Sequence, residues 1–339
     1  MPTIHLVGDS TLDNRIWVPK PEDAVEGKLR ALGTHKVVNH AYDGFTTEDV
    51  LDGGYVGAVL QRIEGFSTYM SEKGATLGDK AFPLQSLEEK ITEKPDDTHY
   101  VVLSVGGNDF RERLSNPFAL LKEIPKVQER YLEILDKIQA IKGDHIRPIL
   151  MFQYRTDANN DHYYVYTVMK FIGVLTIATH IAALTALSMP LWLLAGKVSI
   201  LVAGVCFFGG VIALYFIQKV IPLSMTKDIV MGKKMGMVVF DQLLSVFYQP
   251  MLQRAKEKNL PVLDLSNTFN LNKEIYNSGI EPNAKGGELI AEGINHIVKQ
   301  HDFNGESIRY SKPDGKDAYE GEKNDKPEDW RVAYPEDVT

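Results

Sequence analysis

Short β-rich runs and amphipathic helical periods alternate along most of this chain, and no other feature constrains its fold as strongly. Strands are predicted at residues 3–7, 36–39, 100–105, 146–154 and 261–265. Helices are predicted at residues 21–32, 47–63, 117–141, 238–258 and 283–300. Alternating strands and helices are typical of a parallel sheet covered on both faces. The sequence therefore predicts a three-layer α/β/α domain with a five-stranded parallel sheet.

A long apolar stretch interrupts this pattern at residues 169–223. Its segments 171–195 and 198–217 each supply the about 20 apolar residues that a membrane helix needs. Such segments, apolar on every face, are rare in a water-soluble domain of this size, so they predict a transmembrane helical hairpin. Lysines lie on both flanks, whereas the tight turn carries only Lys197. The positive-inside rule then places the α/β domain on the cytoplasmic side of a membrane.

The hairpin divides the predicted domain into two parts. Residues 1–167 form the first part, residues 168–223 the hairpin, and residues 224–303 the second part. The hairpin falls in a connection between a strand and a helix, where insertions are tolerated because the flanking elements keep their packing. Residues 304–339 are charged and poor in aliphatic side chains, so they predict a disordered tail.

The composition argues against several classes of protein. The net charge is -8 and the isoelectric point is about 5.6, whereas nucleic-acid binding needs a basic face. The single cysteine, Cys206, lies inside the apolar stretch, so no disulfide framework is expected. The opening sequence MPTIHLVGDS has no apolar segment of the kind found in a cleavable signal peptide, and none is expected.

Polar turns that contain glycine follow the first three predicted strands. They are Gly8-Asp9-Ser10, the stretch NHAYDGFTT with Gly44, and Gly106-Gly107-Asn108-Asp109. Ligands bind at the carboxyl ends of parallel strands, so these turns are expected to meet at one site. A serine there could attack an ester, and the backbone N–H groups of Ser10 and Gly44 with the Asn108 amide could stabilise the oxyanion. No cluster has the spacing of metal ligands, so neither a metal nor a cofactor is expected.

These stretches resemble the sequence blocks of the SGNH (GDSL-type) hydrolases, a family of esterases and lipases with a flavodoxin-like fold. LVGDS resembles the first block, the residues up to Gly44 resemble the glycine block, and SVGGND resembles the asparagine block. The resemblance covers roughly residues 1–155 and 238–300. It implies that Ser10 is the nucleophile of an acyl-enzyme mechanism, with Gly44 and Asn108 in the oxyanion hole.

The fourth block of the family departs in this chain. Family members usually carry Asp-x-x-His before a proline, and here Ser278 takes the aspartate position and Glu281 the histidine position. Glu281 could itself be the base, since burial raises a carboxyl pKa toward neutrality. Alternatively, His40 or His162 could reach the site from another turn. His296 and His301 are expected to have a packing or surface role.

Together these features predict a membrane-anchored, cytoplasm-facing serine hydrolase. Its expected partners are the bilayer and an ester or acyl-containing small molecule or lipid. Two alternatives remain open from the sequence. One is a catalytically inactive SGNH-fold protein that binds a ligand at a membrane, and the other is an acyltransferase that passes the acyl group to an alcohol other than water.

Overall fold

A computed structural model describes residues 1–57, 78–111, 117–143, 145–153, 181, 235–269, 275–277 and 281–311. The chain divides into two compact units, of which one is Met1–Asp161 with Tyr248–Thr339 and the other is His162–Phe247. The predicted hairpin and the tail beyond residue 311 lie outside the described residues. Within the ranges that are described, no helix is both long enough and apolar enough to cross a membrane.

A six-stranded parallel sheet forms the centre of the first unit. Its strands are β1 (Thr3–Gly8), β2 (Lys36–Asn39), β5 (His99–Ser104), β6 (Ile146–Phe152), β7 (Val262–Asp264) and β10 (Arg309–Tyr310). The order across the sheet is β10-β7-β6-β5-β1-β2, and all five strand pairs are parallel. Two short antiparallel ribbons lie outside this sheet, β3 (Gly54–Tyr55) with β4 (Lys80–Ala81) and β8 (Tyr276–Asn277) with β9 (Glu281–Pro282).

Helices follow the strands much as the sequence predicts. They are α1 (Val25–Ala31), α2 (Thr47–Asp52), α3 (Pro83–Thr92), α4 (Gly107–Arg111), α5 (Pro117–Ala140), α6 (Met235–Lys258), α7 (Leu265–Thr268) and α8 (Ala284–Gln300). Two short 3-10 helices, Arg15–Trp17 and Pro21–Asp23, lead from the first strand into α1.

Side chains on the two faces of β1 pack against different helices, because successive residues of a strand point to opposite faces. Ile4 and Leu6 belong to a buried cluster that includes Leu29 of α1 and Ile290 of α8. His5 points to the other face, where a chain of side-chain contacts leads to Ser86 of α3. Helices therefore cover both faces of the sheet, and the α/β prediction with a parallel sheet is confirmed.

The predicted strand count of five is wrong, because β10 adds a sixth strand at the edge beside β7. The Asp264 side chain of β7 is fully buried, and it accepts a hydrogen bond from Nε of Arg309 at 2.6 Å. The sequence predicts that residues 304–311 belong to the tail, because this stretch is polar and charged. A strand of two residues shows no periodicity, and its buried ion-pair partner is far away in the sequence.

Candidate active site

Ser10 lies in a tight turn at the carboxyl end of β1. The carbonyl oxygen of Asp9 accepts a hydrogen bond from the N–H of Leu12 at 3.1 Å. Gly8, just before the turn, has φ +146°, and a Cβ atom there would lie 1.7 Å from the carbonyl oxygen of Ser104 in β5. Only glycine allows this close approach. The turn therefore holds Ser10 against the sheet edge, with 7% of its surface exposed.

Asp9 is fixed inside the same turn by donors on two sides. Its Oδ1 accepts from the backbone N–H of Thr11 at 3.1 Å, and its Oδ2 accepts from Nε2 of Gln153 at 2.5 Å. Burial raises the pKa of the Asp9 carboxyl to about 7. Sequence reasoning missed Gln153, because a single glutamine after a strand belongs to no motif. The side-chain amide of Gln153 links the end of β6 to the turn that carries Ser10, through its hydrogen bond to Asp9.

The structure brings the glycine and asparagine turns to the same edge. The N–H of Tyr42 donates to the carbonyl oxygen of Gly8 at 3.0 Å, and Nδ2 of Asn108 donates to the carbonyl oxygen of Phe45 at 3.0 Å. An amide carries two hydrogens, so Asn108 retains one donor beyond this bond. Gly44 has φ +84°, but a Cβ atom there would meet no atom within 4 Å. Its backbone conformation, and not crowding, therefore favours glycine.

Asp109 fixes the position of Asn108 relative to the glycine turn. Its buried carboxylate accepts from the backbone N–H of Thr47 at 2.9 Å and from the Thr47 hydroxyl at 2.6 Å. Arg130 of α5 pairs with the same carboxylate at 3.0 Å. Asp109 thus links the asparagine turn to Thr47, the first residue of α2. These bonds connect the turn that carries Asn108 with the helix that follows the Gly44 turn.

Glu281 reaches Ser10 from the β8–β9 ribbon. The Ser10 hydroxyl is near enough to lower the pKa of the Glu281 carboxyl, and the Oε2 atom of Glu281 is buried without a hydrogen-bond partner. Burial raises the pKa of Glu281 to about 8, and the nearby Asp43 charge adds to this rise. Asn14 holds the ribbon in place, because its Nδ2 donates to the carbonyl oxygen of Pro282 at 3.2 Å.

The Ser10 hydroxyl also lowers the pKa of a second carboxyl group, that of Asp43. Nε1 of Trp17 donates to Asp43 Oδ1 at 3.3 Å, and the positive charge of the exposed Arg111 acts on the same carboxyl. Burial still raises the pKa of Asp43 to about 6. Sequence reasoning missed this residue, because an aspartate before a glycine is usually a turn former. In the sequence, only the position of Asp43 next to Gly44 indicated that it could belong to the site.

His40 lies in a buried chain of three histidines. Its Nε2 is 3.0 Å from Nδ1 of His5, and Nε2 of His5 is 3.0 Å from Nδ1 of His99. The other ring nitrogen of His40 is 3.0 Å from the hydroxyl oxygen of Ser86. Both nitrogens of His40 are therefore engaged by side chains other than Ser10, which disfavours His40 as the base.

The other serine and histidine residues that the sequence analysis names fall into two groups. Ser278 and His162 lie outside the described residues. His301 is buried, with Nδ1 3.1 Å from the hydroxyl of Tyr310, and the ring of His296 packs edge-on against the same tyrosine. These contacts agree with the packing role predicted for both histidines.

Within the described ranges, no group of three or more histidine, cysteine, aspartate or glutamate side chains has the geometry to hold a metal ion. Two carboxyl groups, those of Asp43 and Glu281, lie near enough to the Ser10 hydroxyl for it to lower their pKa. The arrangement of a serine with carboxyl groups and oxyanion donors is suited to nucleophilic attack on an acyl group.

No family model and no curated protein matches the sequence. Among solved structures, a member of the lipolytic G-D-S-L family from Veillonella parvula is 11% identical, with a TM-score of 0.44 over 88% of this chain and 100% of that chain. A protein from Agrobacterium tumefaciens assigned as an arylesterase is 12% identical, with a TM-score of 0.36 over 88% of this chain and 99% of that chain. Both TM-scores are below 0.5, so the interpretation of the site depends on the residues of this chain. The chain is similar to a solved member of the G-D-S-L lipolytic family, which is the family that its sequence motifs resemble.

Proposed function

We propose that this protein is a serine hydrolase that cleaves a carboxylic ester through an acyl-enzyme at Ser10. The observation that carries the proposal is the placement of the buried Glu281 carboxyl near Ser10, whose hydroxyl lowers the pKa of that carboxyl. Glu281 occupies the position that the family resemblance gives to the catalytic histidine. A buried carboxyl whose pKa lies near neutrality is suited to exchanging protons with a serine hydroxyl at neutral pH.

In the proposed reaction, Oγ of Ser10 attacks the ester carbonyl. The developing oxyanion accepts hydrogen bonds from the N–H groups of Ser10 and Gly44 and from the Asn108 amide. The alcohol leaves with a proton, and water then releases the acid from Ser10. The carboxyl groups near the Ser10 hydroxyl carry the protons in both halves of the reaction. The two similar structures are named as a lipolytic protein and an arylesterase, and both names fit an ester as the substrate class.

The test is ester turnover by the full-length protein in detergent, measured on short-chain and long-chain esters. Ser10→Ala is expected to abolish turnover while leaving the thermal unfolding temperature close to that of the wild type. The matched control is Ser307→Ala, because the Ser307 hydroxyl donates to the carbonyl oxygen of Leu260, beside the start of β7. Turnover that persists in Ser10→Ala would overturn the proposal, and so would a folded wild type that hydrolyses no ester.

We also propose that residues 169–223 anchor the α/β unit to the cytoplasmic face of a membrane. The support is the apolar length of the two segments and the lysines on both flanks. The proposal predicts that the full chain stays in carbonate-washed membranes and that a variant lacking residues 169–223 is released. Retention of the deleted variant would contradict the anchor.

A further inference from the structure

Gln153, the residue after the end of β6, binds both sequence neighbours of Ser10. Its Nε2 atom donates to Oδ2 of Asp9 at 2.5 Å and to the hydroxyl oxygen of Thr11 at 3.3 Å. The nitrogen of a side-chain amide carries two hydrogens, so both bonds can form at once. The residues immediately before and after Ser10 are therefore held by one amide nitrogen, which comes from a different strand of the sheet.

The same side chain packs against the turn that carries Asn108. A Cβ atom on Gly107, the residue before Asn108, would lie 2.4 Å from Oε1 of Gln153, and the two next nearest atoms belong to the same amide group. Gly107 does not have a positive φ angle that would itself favour glycine. The Gln153 side chain, and not the backbone conformation, therefore accounts for glycine at position 107.

The backbone of Gln153 is fixed by the core of the domain. Its N–H group donates to the hydroxyl oxygen of Tyr248 in α6 at 2.7 Å. The ring of Tyr248 stacks on that of Phe152, the last residue of β6, with the ring centroids 4.0 Å apart. Both aromatic residues are buried. Since packed interiors resist displacement, the amide that bridges the two turns extends from a rigid point.

We propose that Gln153 is a positioning residue, which sets the distance between the Ser10 hydroxyl and the Asn108 amide. This inference rests on the proposed ester hydrolysis, in which Oγ of Ser10 attacks and Asn108 stabilises the oxyanion. Gln153 acts through the neighbours of these two residues, which it binds on one side and packs against on the other. Both groups must meet the same substrate carbonyl, and a misplacement of about 1 Å can cost about 100-fold in rate.

The first test replaces Gln153 with methionine, which has a similar length but no N–H donor. Gln153→Met is expected to lower both kcat for a short-chain ester and the rate of Ser10 labelling by a fluorophosphonate about 10-fold to 100-fold, with KM changed less than about threefold. Both rates are measured on the full-length protein in detergent and expressed per folded molecule, so a loss of stability alone would not lower them. Gln253→Met is the control, because the exposed Gln253 amide donates to Glu257 at 2.9 Å.

The second test displaces the Gln153 amide without replacing Gln153. Gly107→Ala places a Cβ atom where this amide lies, so the amide must move and lose its bonds to the Ser10 turn. The variant is expected to fold, because position 107 begins α4 and alanine has a high helix propensity. Gly107→Ala should lower kcat and the labelling rate by a factor similar to that of Gln153→Met. Gly143→Ala is the control, since the nearest atoms to a Cβ there lie at an ordinary 3.6 Å.

A double variant shows whether the two residues act as one unit. In Gln153→Ala the space beside position 107 is free, so adding Gly107→Ala is expected to cause no further loss of kcat or labelling. Losses that multiply in the double variant would overturn the proposal, because they would show that Gly107 acts independently of Gln153.

The other outcomes separate this inference from the proposed function. Wild-type rates in folded Gln153→Met and Gly107→Ala would overturn the positioning role and leave Ser10 as the nucleophile. A rise in KM with kcat unchanged would also overturn it, because the residue would then act in substrate binding. If Gln153→Met does not fold, Gly107→Ala decides the question. Turnover that survives in Ser10→Ala would instead overturn the proposed function, and this inference with it.

Discussion

Asn14 binds the carbonyl oxygen of Pro282 and thereby holds the neighbouring Glu281 beside Ser10. Asn14 is fully buried, and its Oδ1 also accepts from the backbone N–H of Val25 at 2.9 Å. One side chain thus links the nucleophile turn, the start of α1 and the β8–β9 ribbon. The position of Glu281 depends on this link, since the ribbon has only two residues in each strand.

Replacing Asn14 with alanine is expected to lower both stability and turnover. The change leaves two buried backbone groups without a partner, which costs about 1 to 3 kcal/mol for each. The control is Asn277→Ala, because the exposed Asn277 side chain donates to the Trp17 carbonyl oxygen at 2.8 Å in a similar link across the chain. Urea unfolding and ester turnover measure the two effects. Equal losses of stability in both variants would contradict the role given to Asn14.

The stability of the protein is expected to fall as pH rises from about 4 to about 8. Burial raises the pKa of Asp9 to about 7 and that of Glu281 to about 8, whereas carboxyls in an unfolded chain titrate near pH ~4. The folded state therefore holds more protons than the unfolded state in this window, and the free energy of unfolding decreases with increasing pH. Below this window all these groups are protonated in both states, and their stabilising contribution is fully present.

Glu281→Gln tests this linkage, because glutamine cannot ionise. At pH 8 the variant is expected to be more stable than the wild type by roughly 2 to 4 kcal/mol, and near pH 4 the difference should be small. Urea denaturation at the two pH values measures it, with Glu88→Gln at an exposed site as the control. A variant that is less stable than the wild type at pH 8 would contradict the raised pKa of Glu281.

The hydrogen bonds among the three buried histidines predict a single tautomer for each neutral ring. The carbonyl oxygen of Lys94 accepts from Nε2 of His99 at 2.8 Å, so Nδ1 of His99 must accept from His5. Nδ1 of His5 must in turn accept from Nε2 of His40. Burial is the main cause that lowers the pKa of His5 to about 2, so the His5 ring is neutral at neutral pH.

His5→Leu is therefore expected to cost about 2 to 4 kcal/mol, because it leaves one ring nitrogen on each neighbouring histidine without a partner. Chemical unfolding measures this loss, and nitrogen NMR shifts of the imidazole rings report the tautomers in the wild type. His145→Ala, at an exposed position, should change stability by less than about 0.5 kcal/mol. A protonated imidazole on His5 at pH 7 would contradict the assignment.

The sixth strand is expected to contribute to stability through the ion pair of Arg309 with Asp264. Removing one partner of a buried pair leaves an uncompensated charge and costs about 3 to 5 kcal/mol. Arg309→Ala should lose stability on this scale in urea unfolding, because Asp264 is fully buried. The pair of the exposed Arg30 with the partly buried Glu26 provides the control, and Arg30→Ala should lose less than about 1 kcal/mol. Similar losses in both variants would show that β10 is not held by the pair.

The elements of the parallel sheet could be predicted from the sequence wherever the pattern is local. The strand Lys36–Asn39 has the predicted bounds, and His99–Ser104 differs from its prediction by one residue at each end. These strands are β-rich runs bounded by polar turns, which periodicity detects. Arg309–Tyr310 could not be detected in this way, because it is a short strand whose partner Asp264 is distant in sequence.

The candidate site was predictable in part for the same reason. Ser10, Gly44 and Asn108 follow strand ends, and parallel strands bring their carboxyl ends to one edge. Asp43 and Gln153 were missed, because their role depends on which side chains meet across the turns. The position of Glu281 near Ser10 depends on the hydrogen bond from Asn14 to the carbonyl oxygen of Pro282. No local sequence pattern predicts this bond.

The most direct test of the central claim is to find which residue of the folded, full-length protein reacts with a fluorophosphonate. Such a probe needs an activated serine but no knowledge of the substrate. The protein would be treated in detergent from about pH 5 to about pH 9, a range that spans the pKa values of Asp43 and Glu281, and the adduct mapped by peptide mass spectrometry. The account predicts an adduct on Ser10 that is absent in Ser10→Ala and unchanged in Ser307→Ala. A folded wild type that carries no adduct on Ser10 at any pH would contradict it.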